Sequence, residues 1–144
     1  MIDSFKDEYR FLSNFWPAEV RFEGLQYPSV EHAYQAAKTE DPKERVDVQS
    51  CTTPGKAKRQ GRKVTMRSDW DDVKVDIMEH LLYEKFAHPE LRDRLLQTGT
   101  QGLVEGNTWG DTFWGVSGGK GENHLGRILM KIRKDLGDEG NHEK

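Results

Sequence analysis

Cysteine is almost missing from this chain. Cys51 stands alone, so the sequence offers neither an intrachain disulfide nor a thiolate metal cluster. Long apolar runs are missing too. No stretch approaches the roughly 20 apolar residues of a membrane-spanning helix, and Met1-Ile2-Asp3-Ser4-Phe5-Lys6 has no apolar core of a signal peptide. The cytoplasm is the expected compartment. Positive charge is not in excess: 22 Lys and Arg face 25 Asp and Glu, for a net charge of -3. General attraction to nucleic acid or membrane is therefore excluded, and any phosphate contact has to come from a local patch. The histidines His32, His80, His88, His124 and His142 show no HExxH-type spacing, so none is read as a metal ligand. No cofactor is expected.

What remains is a chain of 144 residues, 34% hydrophobic and 33% charged, with 10% aromatics and four Trp. Disordered chains lack large apolar groups to bury, so an aromatic-rich core under a charged surface is expected. There is no repeat, low-complexity block or Ser/Gly linker. One domain over residues 1–144 is expected, with a frayed polar tail over about 137–144.

Residues 18–27 (AEVRFEGLQY) alternate around Glu23-Gly24, which predicts a short N-terminal β-hairpin. Ser29 is a good N-cap for a helix running to about Lys38. Asp41-Pro42 and Thr53-Pro54 each open a short helix. Ser68 starts the longest one, whose apolar face carries Val73, Ile77, Met78, Leu81 and Leu82 through Phe86. His88-Pro89 opens a further helix that Gly99 stops. A strand-like Gly102–Glu105 and a glycine-rich loop over 106–126 precede a last helix, Leu125 to Leu136. The expected class is α+β, predominantly helical.

Three segments could carry chemistry. On the helix after Ser29, Glu31, Gln35 and Lys38 share one face at i, i+4 and i+7. That places a carboxylate, an amide and an amine in line, beside buried Val30, Ala33 and Ala37. A solvated face with an ordinary Glu–Lys pair explains the same pattern. Next, Trp109 to Asn123 sets two Trp and Asp111 beside a glycine run with Lys120, leading into a helix start, where backbone amides favour anions. No Ser or Thr follows Lys120, so this is no Walker loop; a flexible loop with core tryptophans also fits. Finally, Lys56, Lys58, Arg59, Arg62, Lys63 and Arg67 could bind phosphates or simply line a solvated helix.

Taken in order, these segments resemble the NADAR (YbiA-like) family. The resemblance is carried by Phe11-Leu12-Ser13-Asn14-Phe15, by Phe22 through His32 with Gln35 and Lys38, and by Gly61-Arg62 and Trp70. Trp114-Gly115, Gly119-Lys120-Gly121, Asn123 and Leu125-Gly126 complete it, so it runs from about residue 5 to 136. It implies an N-glycosidase that hydrolyses the bond between ribose C1′ and a nitrogen. Two substrate classes go with it: phosphorylated ribosylamino-pyrimidine intermediates of riboflavin synthesis, and ADP-ribose on guanine in nucleic acid. A toxin ADP-ribosyltransferase is the partner that would go with the second. By the family pattern Glu31, Lys38 and Asp111 look catalytic. Ser13, Asn14, Phe15, Tyr34, Gln35, Trp70, Trp114, Lys120 and Asn123 look substrate-binding. Asp111 lies in a segment that varies between such proteins.

The residue types suit that chemistry independently. Departure of nitrogen from C1′ builds positive charge on the sugar, which a carboxylate stabilises, while aromatic faces stack on a base. A non-catalytic ADP-ribose or nucleotide reader would use the same pocket, but a diphosphate reader gains nothing from a carboxylate beside its ligand. A nucleic-acid-binding accessory domain built on the basic stretch is opposed by the net charge.

Overall fold

Glu23 and Gly24 both take left-handed backbone angles (φ 46° and 86°), the geometry of a tight hairpin turn. In the computed structural model, which describes residues 1–142, they join β1 (Pro17–Phe22) to β2 (Leu25–Ser29) in an antiparallel pair. Val20 faces Tyr27 and Phe22 faces Leu25, with an irregularity between Pro17 and Val20. Val20, Phe22 and Tyr27 are buried.

Ser29 ends β2 and caps α1 (Val30–Ala37), its hydroxyl accepting the His32 amide at 3.1 Å. Asp41 caps α2 (Pro42–Gln49) through the Lys43 amide, and Thr53 caps α3 (Pro54–Gln60) through the Lys56 amide. Each supplies an acceptor to an amide that the helix leaves unpaired. α4 (Trp70–Phe86) begins just after the expected Ser68, and its first amides, from Asp72 and Val73, use the Asp69 carbonyl. Ile77, Met78, Leu81, Leu82 and Phe86 are buried along it, as the spacing predicts. Residues 14–85 form one compact unit, in which α1 packs against β1, β2, α2 and α3.

Met1–Ser13 and Phe86–Lys144 form a second compact unit. A 3-10 turn over Asp7–Leu12 buries Phe11 and Leu12. α5 (Pro89–Gln97) is followed by β3 (Gly106–Asn107), which pairs in parallel with β4 (Val116–Ser117). α6 (His124–His142) closes the chain. Two expectations are corrected in this unit. The strand expected over Gly102–Glu105 shrinks to one bridge, Leu103 with Ile2, and the paired residues lie just beyond it. The last helix, expected to end at Leu136, runs through Gly137 to His142. Gly stops a helix when it turns left-handed, and Gly137 keeps a negative φ. Residues 143 and 144 of the expected frayed tail lie outside the described residues.

The α+β class, mostly helical with a small N-terminal hairpin, is the one observed. Among the described residues no helix is long and apolar enough to cross a membrane, and no His, Cys, Asp and Glu group could hold a metal ion.

Lys85 is fully buried on α4, and desolvation pushes its amine down to about 7. A free lysine titrates near 10.4, so between those values the unfolded chain holds a proton that the folded chain does not. Stability should therefore rise with pH across that window. Against Lys85→Met, wild-type unfolding free energy should gain up to about 1.4 kcal/mol per pH unit between pH 7 and 9. Urea unfolding at several pH values checks this, and parallel curves for the two proteins would refute it.

Candidate active site around α1

All eight residues of α1 are buried, including Glu31 at 7% and Gln35 at 4% relative exposure. A solvated helix face is excluded. A buried carboxylate and amide are costly unless something compensates them, and Gln35 Oε1 has no hydrogen-bond partner among the described residues. The backbone and His32 at the helix start are better satisfied. The Asn14 carbonyl accepts the Glu31 amide at 3.1 Å. Ser29 Oγ lies 2.7 Å from His32 Nδ1, and His32 Nε2 lies 2.9 Å from the Cys51 carbonyl. Since the carbonyl can only accept, Nε2 carries the hydrogen and Nδ1 takes that of the serine. Burial lowers the His32 pKa, which keeps this latch neutral. His32 had no predicted role; its intervening partner, Cys51, is 19 residues away, and nothing in the local pattern announces it.

Lys38 follows the helix on the same side. Its Nζ lies 5.7 Å from the centre of the Tyr34 ring, and Tyr34 meets Trp70 at 5.1 Å with a 56° tilt. Trp70 is itself buried, so the two rings form a backing under the amine. Burial lowers the Lys38 pKa most strongly. Glu31 opposes that shift, while Lys58, Arg62 and Lys74 reinforce it. Burial and the cations together outweigh the carboxylate, and the amine is biased toward its neutral, nucleophilic form. Lys58 and Arg62 come from the basic stretch, which is thus in part an electrostatic neighbour of Lys38. Arg67 is committed elsewhere, gripping Asp69 by two bonds of 2.6 and 3.1 Å.

Gly61, just after α3, explains how α3 comes so close. Its φ is an ordinary -60°, so space and not backbone freedom demands glycine. A methyl there would land on the Gln35 side-chain amide. Of the expected N-terminal signature, Asn14 Nδ2 approaches Met78 Sδ at 3.6 Å, Phe15 is exposed, and Ser13 closes the 3-10 turn, its amide donating to Arg10.

Asp111, Trp114, Lys120 and Asn123 belong to the other unit. Asp111 builds its own turn: Oδ1 accepts the amides of Phe113 and Trp114 at 3.1 and 2.9 Å. Asn107 braces the same turn, accepting the Asp111 amide at 3.0 Å and donating to its carbonyl at 2.9 Å. Trp114 and Phe113 sit edge to face at 4.9 Å, with His124 against Phe113 at 4.4 Å. The amides of Asn123, His124 and Leu125 donate to the carbonyls of Gly115, Phe113 and Trp114. The expected anion-binding helix start is therefore occupied by the chain itself. Asn123 is a clamp, accepting the Glu105 amide and donating to the Leu103 carbonyl, each at 3.0 Å. Lys120 is exposed on a turn whose backbone pairs with Ser117 in both directions.

A family model described as the NADAR domain matches residues 2–137. The chain belongs to the NADAR family. N-glycosidase YbiA of Escherichia coli (strain K12) is 41% identical over 142 residues, covering 94% of this chain and 87% of that protein. A Nostoc punctiforme protein named an N-glycosidase is 38% identical over 135 residues, covering 89% of this chain and 86% of that protein. A riboflavin biosynthesis protein of Vibrio vulnificus is 38% identical over 134 residues, covering 90% of this chain but 36% of that longer protein. The NMR structure of E. coli YbiA superposes with a TM-score of 0.82 at 37% identity, over 97% of this chain and 89% of that one. The NADAR match runs through both compact units.

Overpacking a tight contact costs about 1–3 kcal/mol. Gly61→Ala should lose that much stability by displacing Gln35. Thermal unfolding of Gly61→Ala beside Gly55→Ala, a helical glycine with room for a methyl, checks it. Equal midpoints would mean the Gln35 contact is soft.

Proposed function

We propose that this chain is an N-glycosidase, a hydrolase that cuts the ribose C1′–N bond of a nucleotide-type substrate, with its reacting groups on α1. One observation carries the reading: a buried carboxylate, Glu31, shares a helix face with an amine, Lys38, whose proton affinity is lowered by burial. The names of the relatives, N-glycosidase and riboflavin biosynthesis protein, support the same chemistry. The favoured substrate is a phosphorylated ribosylamino-pyrimidine, and the functional domain is the stretch 2–137 that spans both units.

The sugar of such a substrate is an aminal. The Glu31 carboxylate takes the proton from the nitrogen that links C1′ to the base and passes it to the ring oxygen as the ring opens, leaving an imine between C1′ and that nitrogen. The neutral Lys38 amine adds to C1′, the C1′–N bond to the base breaks, and the base departs as a free amine. Water then adds to the C1′–Nζ imine, releasing the ribose phosphate as an aldehyde and restoring the lysine. One water is consumed per turnover. Lys38 follows Glu31 by seven residues, about 10 Å along a helix axis at 1.5 Å per residue, so the two can flank one sugar. Lys58 and Arg62 suit the phosphate. Tyr34 over Trp70 offers a supported aromatic wall, and Asn14, Phe15 and Gln35 complete the substrate contacts of this unit.

A second substrate, ADP-ribose on guanine in nucleic acid, is favoured by the exposed Arg59, Arg62 and Lys63. Phosphate contacts make affinity fall steeply with salt. Activity on a modified oligonucleotide that ignores salt would exclude a role for these cations in that reading.

Incubating the protein with the ribosylamino-pyrimidine phosphate should release the base and ribose 5-phosphate. Glu31→Gln should keep the fold and lose at least about 100-fold in turnover, the scale of a general acid–base group. Near-wild-type turnover in that variant would remove Glu31 from the mechanism.

A further inference from the structure

Helix ends fray because their last carbonyls lack partners within the helix. Lys38 sits at such an end, directly after Ala37, on a helix of eight residues. Yet the backbone there is tied down on several sides. The Lys38 carbonyl accepts the Arg67 amide at 2.7 Å, and the Thr39 carbonyl accepts Arg45 Nε at 2.8 Å. Thr39 Oγ1 accepts the Asp41 amide at 3.1 Å and donates to Glu44 Oε1 at 2.6 Å. The same carboxylate accepts the Thr65 amide at 3.0 and 3.2 Å and the Thr65 hydroxyl at 3.2 Å. These bonds keep Glu44 below the usual carboxylate range, so it is an anion at neutral pH.

Glu44 is therefore the joint of a bracket. Through Thr39 it holds the residue after Lys38, and through Thr65 it holds the strand of chain whose Arg67 amide grips the Lys38 carbonyl. The donors on those carbonyls also blunt the partial negative charge of a helix C-terminus, which would otherwise favour a protonated lysine.

We propose that Glu44 is a positioning residue for the α1 lysine: its carboxylate locks residue 39 to the 65–67 segment and fixes where the Lys38 amine is delivered. This rests on the reading of Lys38 as the reacting group. A brace that served stability alone would lower the melting temperature and leave the rate of a folded enzyme unchanged.

Three variants separate the possibilities. Val20→Ala, a core truncation in β1, supplies a control destabilised away from the bracket. With the ribosylamino-pyrimidine phosphate at a temperature where all are folded, Glu44→Ala should lose about 10-fold or more in kcat with KM within about twofold, the scale on which misplacing a catalytic group acts. Val20→Ala should keep its kcat. Glu44→Gln, which still offers one carbonyl to Thr39 or Thr65, should recover part of the loss. Lys38 can also be read without substrate. Ribose 5-phosphate and cyanoborohydride label reactive amines, and peptide mass gives the labelling of Lys38 relative to exposed Lys43. That ratio should fall several-fold in Glu44→Ala alone. A Glu44→Ala enzyme with wild-type kcat and an unchanged ratio overturns the proposal. Full turnover by Lys38→Ala would instead overturn the reading beneath it.

Discussion

The complete burial of one short helix governs the surroundings of the candidate site. α1 carries a carboxylate and an amide into the interior of its unit, and an amine follows at its end. Burial of that kind is unfavourable unless each polar group is answered. The surroundings answer part of this: Asn14 receives the Glu31 backbone amide, Ser29 and Cys51 pair with the His32 nitrogens while burial keeps that ring neutral, and Gly61 makes room for Gln35, whose Oε1 has no hydrogen-bond partner among the described residues. The same burial sets the chemistry. It outweighs the pull of Glu31 on the Lys38 proton, and the nearby cations act in the same direction. An amine and a carboxylate on an exposed face would form an ordinary ion pair of little consequence.

The glycine-rich unit follows another logic. Its polar groups are spent largely on its own backbone. Asp111 caps two amides, Asn123 clamps Leu103 and Glu105, and the first amides of α6 meet carbonyls of residues 113–115. Gly115 has no room for a side chain beside Glu105. These bonds leave the loop's polar groups paired within its own unit. Trp114 and Phe113 are held by the cap that Asp111 supplies, which gives that carboxylate a positioning task within its own unit.

Much of this was legible in the sequence because the signals are local. Glu23-Gly24, Ser29, Asp41-Pro42 and Thr53-Pro54 each act within a few residues, and each marks a boundary where the chain turns or a helix begins. Helical spacing likewise gave the shared side of Glu31, Gln35 and Lys38. Burial was not legible, because periodicity cannot distinguish a polar stripe facing water from one facing other elements. The His32 latch, the Gly61–Gln35 contact and the Glu44 bracket join residues far apart along the chain, so no local pattern carries them. Gly137 misled for the converse reason: a stop signal depends on a backbone angle that composition does not fix.

In the proposed mechanism the Lys38 amine forms a covalent link with the sugar. Borohydride added during turnover reduces an imine to a stable amine and leaves the sugar attached. Covalent catalysis by Lys38 predicts loss of activity together with one ribose phosphate adduct, located by peptide mass on Lys38 and missing when substrate is withheld. Unmodified Lys38 under those conditions, together with substantial turnover by Lys38→Ala, would contradict it and leave direct attack by water.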